Sequence, residues 1–304
     1  MKKLLQLVVS VFLFSTFMGC DEPKQNEKFT IVTTTGIIAD CVENIVSENI
    51  NVVSLMGAGV DPHLYKASQG DVSKLANADV IIYNGLHLEG KMAQMLKNYA
   101  KSKPVYAIGD FVDKTQLKKV DETSDLVDPH IWFNPALWME GLEGVAGKLS
   151  SINDDLKGTL DNFKVYNNKV AKISIELTNA LDTSLNQEKR ILITSHDAFE
   201  YFGDAYNFKV RGLQGISTAA EYGPRDVKNL TEFIIANNIK SVFVETSVSD
   251  KNLKAVIDGA KARKYDLKIG GTLYSDALGK NGTEAGTYTG MLKVNVNTII
   301  KGLK

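Results

Sequence analysis

Histidine and cysteine are both scarce in this sequence, and each shortage narrows what the chain can do. Two cysteines among 304 residues exclude a disulfide framework and every zinc site built from several cysteines. A surplus of positive charge is missing too, because 35 lysines and arginines face 36 aspartates and glutamates. Without a strong basic field, nucleic acid is not an expected partner. Any chemistry that needs imidazole must use His63, His87, His130 or His196, the only four histidines.

A hydrophobic run long enough to cross a membrane is also missing. The apolar run Leu4–Met18 follows two lysines and is shorter than the about 20 residues that a membrane-spanning helix needs. A basic start, a short apolar stretch and the small Gly19 are typical of a secretory signal. The sequence therefore predicts that residues 1–19 form a signal peptide and that the chain is exported.

The residues after this signal predict a lipid anchor. Cys20 follows the signal directly, and the segment resembles a bacterial lipoprotein signal, in which the cysteine becomes the lipidated first residue. Phe17 stands where leucine is commonest and Met18 is bulky, so a secreted protein without lipid is the alternative. We expect residues 20–28 to form a lipidated tether that holds the chain at the periplasmic or extracellular face of the membrane.

Short apolar segments alternate with helical periodicity along the rest of the chain, which is typical of a parallel α/β sheet. The predicted strands are Phe29–Thr35, Val52–Met56, Asp79–Asn84 and Val105–Ile108 in the first half, and Arg190–Thr194, Ser241–Glu245 and Leu267–Gly270 in the second. Helical stretches separate these strands. We therefore expect an α/β fold with two lobes, each a mostly parallel sheet flanked by helices.

The longest periodic stretch lies between the two halves. From Leu156 onward, apolar residues recur at spacings of three, four or seven, and Ser151 with Asp154 resembles a capping box at its start. At 1.5 Å per residue such a helix would be about 48 Å long, long enough to join two lobes as a rigid backbone. The predicted domains are an N-terminal lobe at 29–152, the linking helix at 153–185 and a C-terminal lobe at 186–304.

Three histidines and one aspartate form a candidate metal site. His63 and Asp276 each follow a predicted strand, and His196 ends a strand run. His130 lies after a polar connector. Ligands of open α/β sheets gather outside the carboxyl ends of strands, and two of these residues come from each half, so a shared site would lie between the lobes. Three imidazoles and a carboxylate suit Zn²⁺, Mn²⁺ or Fe²⁺.

The alternative is that these four are ordinary structural or exposed residues, because their wide spacing forms no local metal signature. The repeated Asp-Pro-His sequence favours the metal hypothesis, since proline restricts the backbone and a histidine held in this way loses less freedom on coordination. Asp61 and Asp128, which open the two repeats, could accept the ring N–H that does not face the metal.

Six short motifs together carry a resemblance that no single motif would carry. They are Asp61–Tyr65, Tyr83–Glu89, Asp128–Trp132, Ser195–Phe199, Phe243–Glu245 and Leu273–Leu278. With them, essentially the whole mature chain resembles the metal-binding lipoproteins of ABC importers for zinc and manganese. The resemblance implies two lobes joined by a rigid helix, a buried site between them, and a membrane permease as partner.

The resemblance also implies the metal ligands, which would be His63, His130, His196 and Asp276. His87 matches a motif position that is not a ligand in this family. Some members with glutamate in place of His196 are associated with manganese, whereas zinc-specific members often carry a histidine-rich loop that the connector at 113–128 lacks. These two features point in opposite directions, so we expect one Zn²⁺ or Mn²⁺ per chain.

The expected function is capture of a metal ion by a monomer, without catalysis, because four ligating residues leave no coordination position for water. Glu245 could contact the permease, support a ligand or form an ion pair. A secreted metallohydrolase is the main alternative, with Glu245 or Asp197 as the base. A surface adhesin would bind its target even after loss of the metal ligands. A siderophore- or corrinoid-binding protein would favour a broad aromatic cleft.

Overall fold

The computed structural model describes residues 28–120 and 125–304. The predicted signal peptide, Cys20 and the tether up to residue 27 lie outside the described residues. Within the described part of the chain, no helix combines the length and the apolar character that crossing a membrane requires.

The first half of the chain forms a parallel four-stranded sheet. Its strands are β1 (Thr30–Thr33), β2 (Asn51–Ser54), β3 (Val80–Tyr83) and β4 (Val105–Ala107), in the order β2-β1-β3-β4. Its helices are α1 (Gly36–Glu43), α2 (Gln69–Asn77), α3 (Ala93–Tyr99) and α4 (Pro135–Leu149). Because every pairing is parallel, the carboxyl ends of all four strands lie at one edge.

The second half repeats this architecture with a second parallel sheet. Its strands are β5 (Ile191–His196), β6 (Lys209–Gln214), β7 (Ser241–Glu245) and β8 (Lys268–Leu273), in the order β6-β5-β7-β8. Its helices are α6 (Glu200–Tyr206), α7 (Pro224–Ala236), α8 (Lys251–Ala262) and α9 (Tyr288–Leu303). The predicted α/β fold with two mostly parallel sheets is confirmed.

The sequence prediction missed β6 and α6. β6 is an edge strand with the sequence KVRGLQ, which contains no run of apolar residues that would predict a strand. Gly212 within it has a packing reason, because a Cβ atom there would lie 2.4 Å from the backbone nitrogen of Asp197. Glycine therefore lets β6 lie close against the chain that leaves His196.

The long helix α5 (Thr159–Ser184) lies between the two sheets in sequence, as predicted, but begins later than the periodicity suggested. A short 3₁₀ turn at Asp154–Leu156 comes first, and the Asn153 side chain caps it by accepting from the Leu156 N–H. The proposed capping pair of Ser151 and Asp154 is therefore wrong. Gly158 precedes the first helical residue. The helix of 26 residues is about 39 Å long at 1.5 Å per residue.

One apolar cluster passes beneath both sheets and joins the two halves of the molecule. It includes buried side chains from α1, α4, α5, the start of α6 and α9, among them Ile38, Trp138, Leu177, Phe199 and Tyr288. The backbone N–H of Tyr288 also donates to the carboxylate of Asp40 in α1, at 2.8 Å. Because close-packed interiors have low compressibility, a large movement of one half against the other would require this shared core to repack, and the core therefore opposes it.

Candidate metal centre

The four residues singled out in the sequence lie together at the facing carboxyl edges of the two sheets. His63 lies in the loop after β2, His130 lies just before α4, His196 ends β5, and Asp276 lies in the loop after β8. One donor atom from each side chain lies within 4.8 Å of all the others, and all four residues are buried. The fold therefore brings together nitrogen and oxygen donors that are separated widely in the sequence.

The spacing of the donor atoms matches a small coordination sphere. The Nε2 atoms of His63 and His130 are 3.2 Å apart. Oδ1 of Asp276 lies 3.4 Å from Nε2 of His130 and 3.5 Å from Nε2 of His196. Two ligand atoms placed tetrahedrally about 2.05 Å from one ion are about 3.3 Å apart. These three distances therefore match those around a single tetrahedral ion, and the whole set, with every donor within 4.8 Å of the others, could hold one ion.

Two of the three histidine rings are fixed by carboxylates behind them. Asp128 accepts from Nδ1 of His130 at 2.6 Å and from the backbone N–H of the same residue at 3.0 Å. Glu245 makes the equivalent pair of contacts with His196, at 2.5 Å to Nδ1 and 2.9 Å to the backbone nitrogen. These bonds occupy one ring nitrogen and direct Nε2 into the cluster, as carboxylates commonly do behind metal ligands.

Asp61 acts differently from Asp128, although the two begin the same Asp-Pro-His sequence. Its Oδ1 accepts from the backbone N–H of His63 at 2.9 Å, and Oδ2 accepts from the Thr218 hydroxyl at 2.7 Å. Thr218 belongs to the other half of the molecule. The ring N–H contact predicted for Asp61 is therefore not observed, and its carboxylate instead holds the His63 backbone and bridges the cleft.

Burial and neighbouring charge move the pKa values of these side chains in opposite directions. Burial lowers the pKa of His63 to about 3. Burial also acts to lower the pKa of His130, but the charge of Asp128 outweighs it and raises this pKa to about 9. Glu245 raises the pKa of His196 in the same way. Burial opposes ionisation of Asp276, yet His196 and His130 hold its pKa well below the usual range, so it is a carboxylate.

The segment that carries His130 is bonded firmly to the second half of the molecule. The Trp132 indole N–H donates to the Ser275 carbonyl at 3.0 Å, beside Asp276. The Tyr201 hydroxyl donates to the Asp128 carbonyl at 3.2 Å, and the Tyr288 hydroxyl donates to the Trp132 carbonyl at 2.8 Å. Sequence reasoning missed Thr218 and Tyr201, because neither lies in a motif near a ligand and only the tertiary fold brings them to the site.

His87 lies apart from this group. Its side chain is exposed, and its backbone φ of 66° belongs to a turn after β3. Within the described residues, the set of donors that could share one ion contains the other three histidines and Asp276.

Comparison with known proteins places the chain in a family. The family model described as zinc-uptake complex component A, periplasmic, matches residues 31–302. The chain belongs to this family. The resemblance inferred from the six motifs is therefore confirmed at the level of the family.

Named relatives of the family align with nearly all of the chain. The manganese-binding lipoprotein MntA of Bacillus subtilis is 42% identical over 98% of this chain and 99% of its own length. The zinc-binding protein TroA of Treponema pallidum is 39% identical over 95% of this chain and 94% of its own. A solved structure of periplasmic TroA from Treponema pallidum superposes with a TM-score of 0.86, covering 91% of this chain and 99% of that one at 39% identity.

Proposed function

We propose that this protein captures one Zn²⁺ or Mn²⁺ ion between its lobes and delivers it to the membrane permease of an ABC importer. His63, His130, His196 and Asp276 are the proposed ligands. The observation that carries the proposal is the cluster of four buried donor atoms, all within 4.8 Å of one another. In this proposal Asp128 and Glu245 orient the rings from behind, while Asp61 holds the His63 backbone.

The names of the relatives support this class of cargo. MntA is described as manganese-binding and TroA as zinc-binding, and a manganese ABC transporter substrate-binding lipoprotein, PsaA of Streptococcus pneumoniae, is 31% identical over the whole chain. The donors are mainly imidazole nitrogens, and intrinsic affinity at such sites is greater for zinc than for manganese. We therefore expect both ions to bind, zinc more tightly.

Elemental analysis of protein purified without added metal, followed by competitive titration with zinc and manganese, tests the proposal. One equivalent of a divalent transition metal should copurify or bind. A protein that binds neither ion would contradict the proposed function.

A carrier fits the site better than a hydrolase does. All four donors converge on one point, whereas catalytic zinc sites keep one position for water. We therefore propose that the chain is not an enzyme. Metal-dependent turnover in a broad hydrolase screen would overturn that statement.

The anchor, location and oligomeric state belong to the same proposal. Removal of residues 1–19 and lipidation of Cys20 would hold a monomer at the outer face of the cytoplasmic membrane, beside its permease. Labelling with a radioactive or clickable fatty acid should mark the exported chain, and Cys20→Ser should abolish the label. Retention of the label by that variant would contradict the assignment of Cys20.

Glu245→Gln is expected to lower metal affinity about tenfold, because residues that orient a metal-ligating histidine commonly contribute this much. The glutamine amide keeps the size of the side chain but loses the charge that faces Nδ1 of His196. Competition against a chelator of known affinity measures the change. Affinity equal to that of the wild type would show that the ring is positioned without this carboxylate.

His87→Ala is expected to leave metal affinity unchanged, since the side chain is exposed and lies outside the donor group. The same chelator competition measures it. A loss as large as that of a ligand variant would show that the wrong histidines have been assigned.

A further inference from the structure

The turn that follows β3 carries a sequence motif that the ligands and their carboxylates leave unexplained. Gly85, Leu86 and His87 have consecutive positive φ angles of 80°, 53° and 66°. Only glycine adopts this region freely, so the backbone at Leu86 and His87 is strained. Strained turns of this kind persist only where surrounding contacts determine the conformation, and they concentrate at functional sites.

A buried carboxylate, Glu89, holds this turn in place. Its Oε1 accepts from the Thr34 hydroxyl at 2.7 Å and from the backbone N–H of Asn84 at 2.8 Å. Its Oε2 accepts from the Gly85 N–H at 3.2 Å. The side chain therefore ties together the carboxyl ends of β1 and β3, and charge-assisted bonds of this kind are stronger than neutral ones.

Asn84, whose backbone N–H is bonded to Glu89, connects this turn to the candidate metal centre. The side-chain Nδ2 of Asn84 donates to the carbonyl of Pro129 at 3.0 Å, and Pro129 directly precedes His130. Asn84 is buried, and its backbone carbonyl accepts from Gly109 at 2.9 Å, so the amide has little freedom to turn away. Asn84 thus holds the peptide group between Pro129 and His130, while Tyr201 holds the preceding carbonyl, that of Asp128.

We propose that Asn84 is a positioning residue for His130, and that the Glu89 carboxylate holds Asn84 in the orientation this task needs. The inference rests on the proposed function, since it concerns the accuracy of one metal ligand. A ligand displaced by about 0.5 Å binds a metal noticeably less well. Asp128 still directs the ring when Asn84 is changed, so we expect a loss of affinity of about tenfold rather than loss of binding.

Two variants at Asn84 and one control test this role. Asn84→Asp keeps the shape of the side chain but replaces its donor by an acceptor, and Asn84→Ala removes the group. The control is Asn162→Ala on helix α5. This variant also loses a hydrogen bond from a side-chain amide to a carbonyl, because Nδ2 of Asn162 donates to the carbonyl of Ile45 at 3.1 Å. Zinc affinity is measured by chelator competition, and the visible absorption of the Co²⁺-loaded protein reports ligand geometry.

Both Asn84 variants should bind zinc about tenfold more weakly and shift the Co²⁺ bands, while the control lowers thermal stability at most and leaves both readouts unchanged. Glu89→Gln should produce the same spectral shift with a smaller loss, and it provides the test if the Asn84 variants do not fold. The inference would be overturned if the folded Asn84 variants kept wild-type zinc affinity and an unshifted Co²⁺ spectrum. It would also be overturned if the control variant showed equal changes. A wild-type protein that binds no metal would instead refute the proposed function.

Discussion

Replacement of His196 by alanine is expected to reduce zinc affinity by at least about 100-fold. Structural zinc sites are worth about 10–16 kcal/mol, so each of four ligands contributes about 3 kcal/mol, which corresponds to a factor of about 100 or more. The same loss is expected for His63→Ala and His130→Ala, because the three Nε2 atoms converge on the same point. Chelator competition and calorimetry measure it. Unchanged affinity in all three variants would refute the site.

Folding must be separated from binding in these variants. His196 is fully buried, and its replacement by alanine leaves the Glu245 carboxylate with the backbone N–H but without the imidazole that faces it. The double variant His196→Ala with Glu245→Gln removes this uncompensated charge and provides the matched control. If binding alone is affected, both forms should melt as cooperatively as the metal-free wild type, and a given zinc concentration should raise their melting temperature less than it raises that of the wild type.

The sequence predicted the parts of this site that depend on local order. Parallel strands place their carboxyl ends at one edge, so residues such as His196, which ends β5, were correctly expected to share that edge. The bond from Asp128 to the His130 ring also follows from a short motif. The start of α5 was predicted less accurately, because Asn153 caps a separate 3₁₀ turn and Gly158 precedes the first residue of the helix.

Contacts between distant segments could not be predicted in this way. Asp61 and Asp128 begin the same Asp-Pro-His sequence, yet only Asp128 bonds to its histidine ring. The difference arises from Thr218, which lies 157 residues after Asp61 and takes one of its carboxylate oxygens. A repeated motif therefore predicted two equivalent supports, and tertiary packing made them unequal.

The different support of His63 and His130 affects how the site opens. The His130 segment is bonded to the second half of the molecule at three points, through Tyr201, Ser275 and Tyr288. The His63 ring lacks a supporting carboxylate among the described hydrogen bonds, and its loop meets the other half through the Asp61–Thr218 bond. Movement between the lobes should therefore disturb His63 before His130.

Zinc affinity is expected to rise by at least about 100-fold between pH 6.5 and 8.5. At a histidine with the usual pKa near 6.5, protons would no longer compete with the metal for the ring above about pH 7.5. In the metal-free protein, however, Asp128 raises the pKa of His130 to about 9, against the effect of burial, so the metal must displace a proton throughout this range. The proton displaced from His130 alone gives about tenfold in affinity per pH unit. His196, whose pKa Glu245 also raises well above the usual value, adds a second displaced proton, whereas His63, with a pKa of about 3, contributes none.

The stability of the metal-free fold should follow the opposite trend. Protonated His130 stabilises the folded state fully below about pH 6.5, and this contribution is lost as the pH rises through 9. Chelator competition across the pH range measures the affinity, and calorimetry in two buffers of different ionisation enthalpy counts the protons released. Asp128→Asn removes the charge that raises the pKa of His130, so its affinity should be lower overall, and above about pH 7.5 it should rise about tenfold less per pH unit than that of the wild type. A wild-type profile that is already flat above that pH would contradict this account of His130.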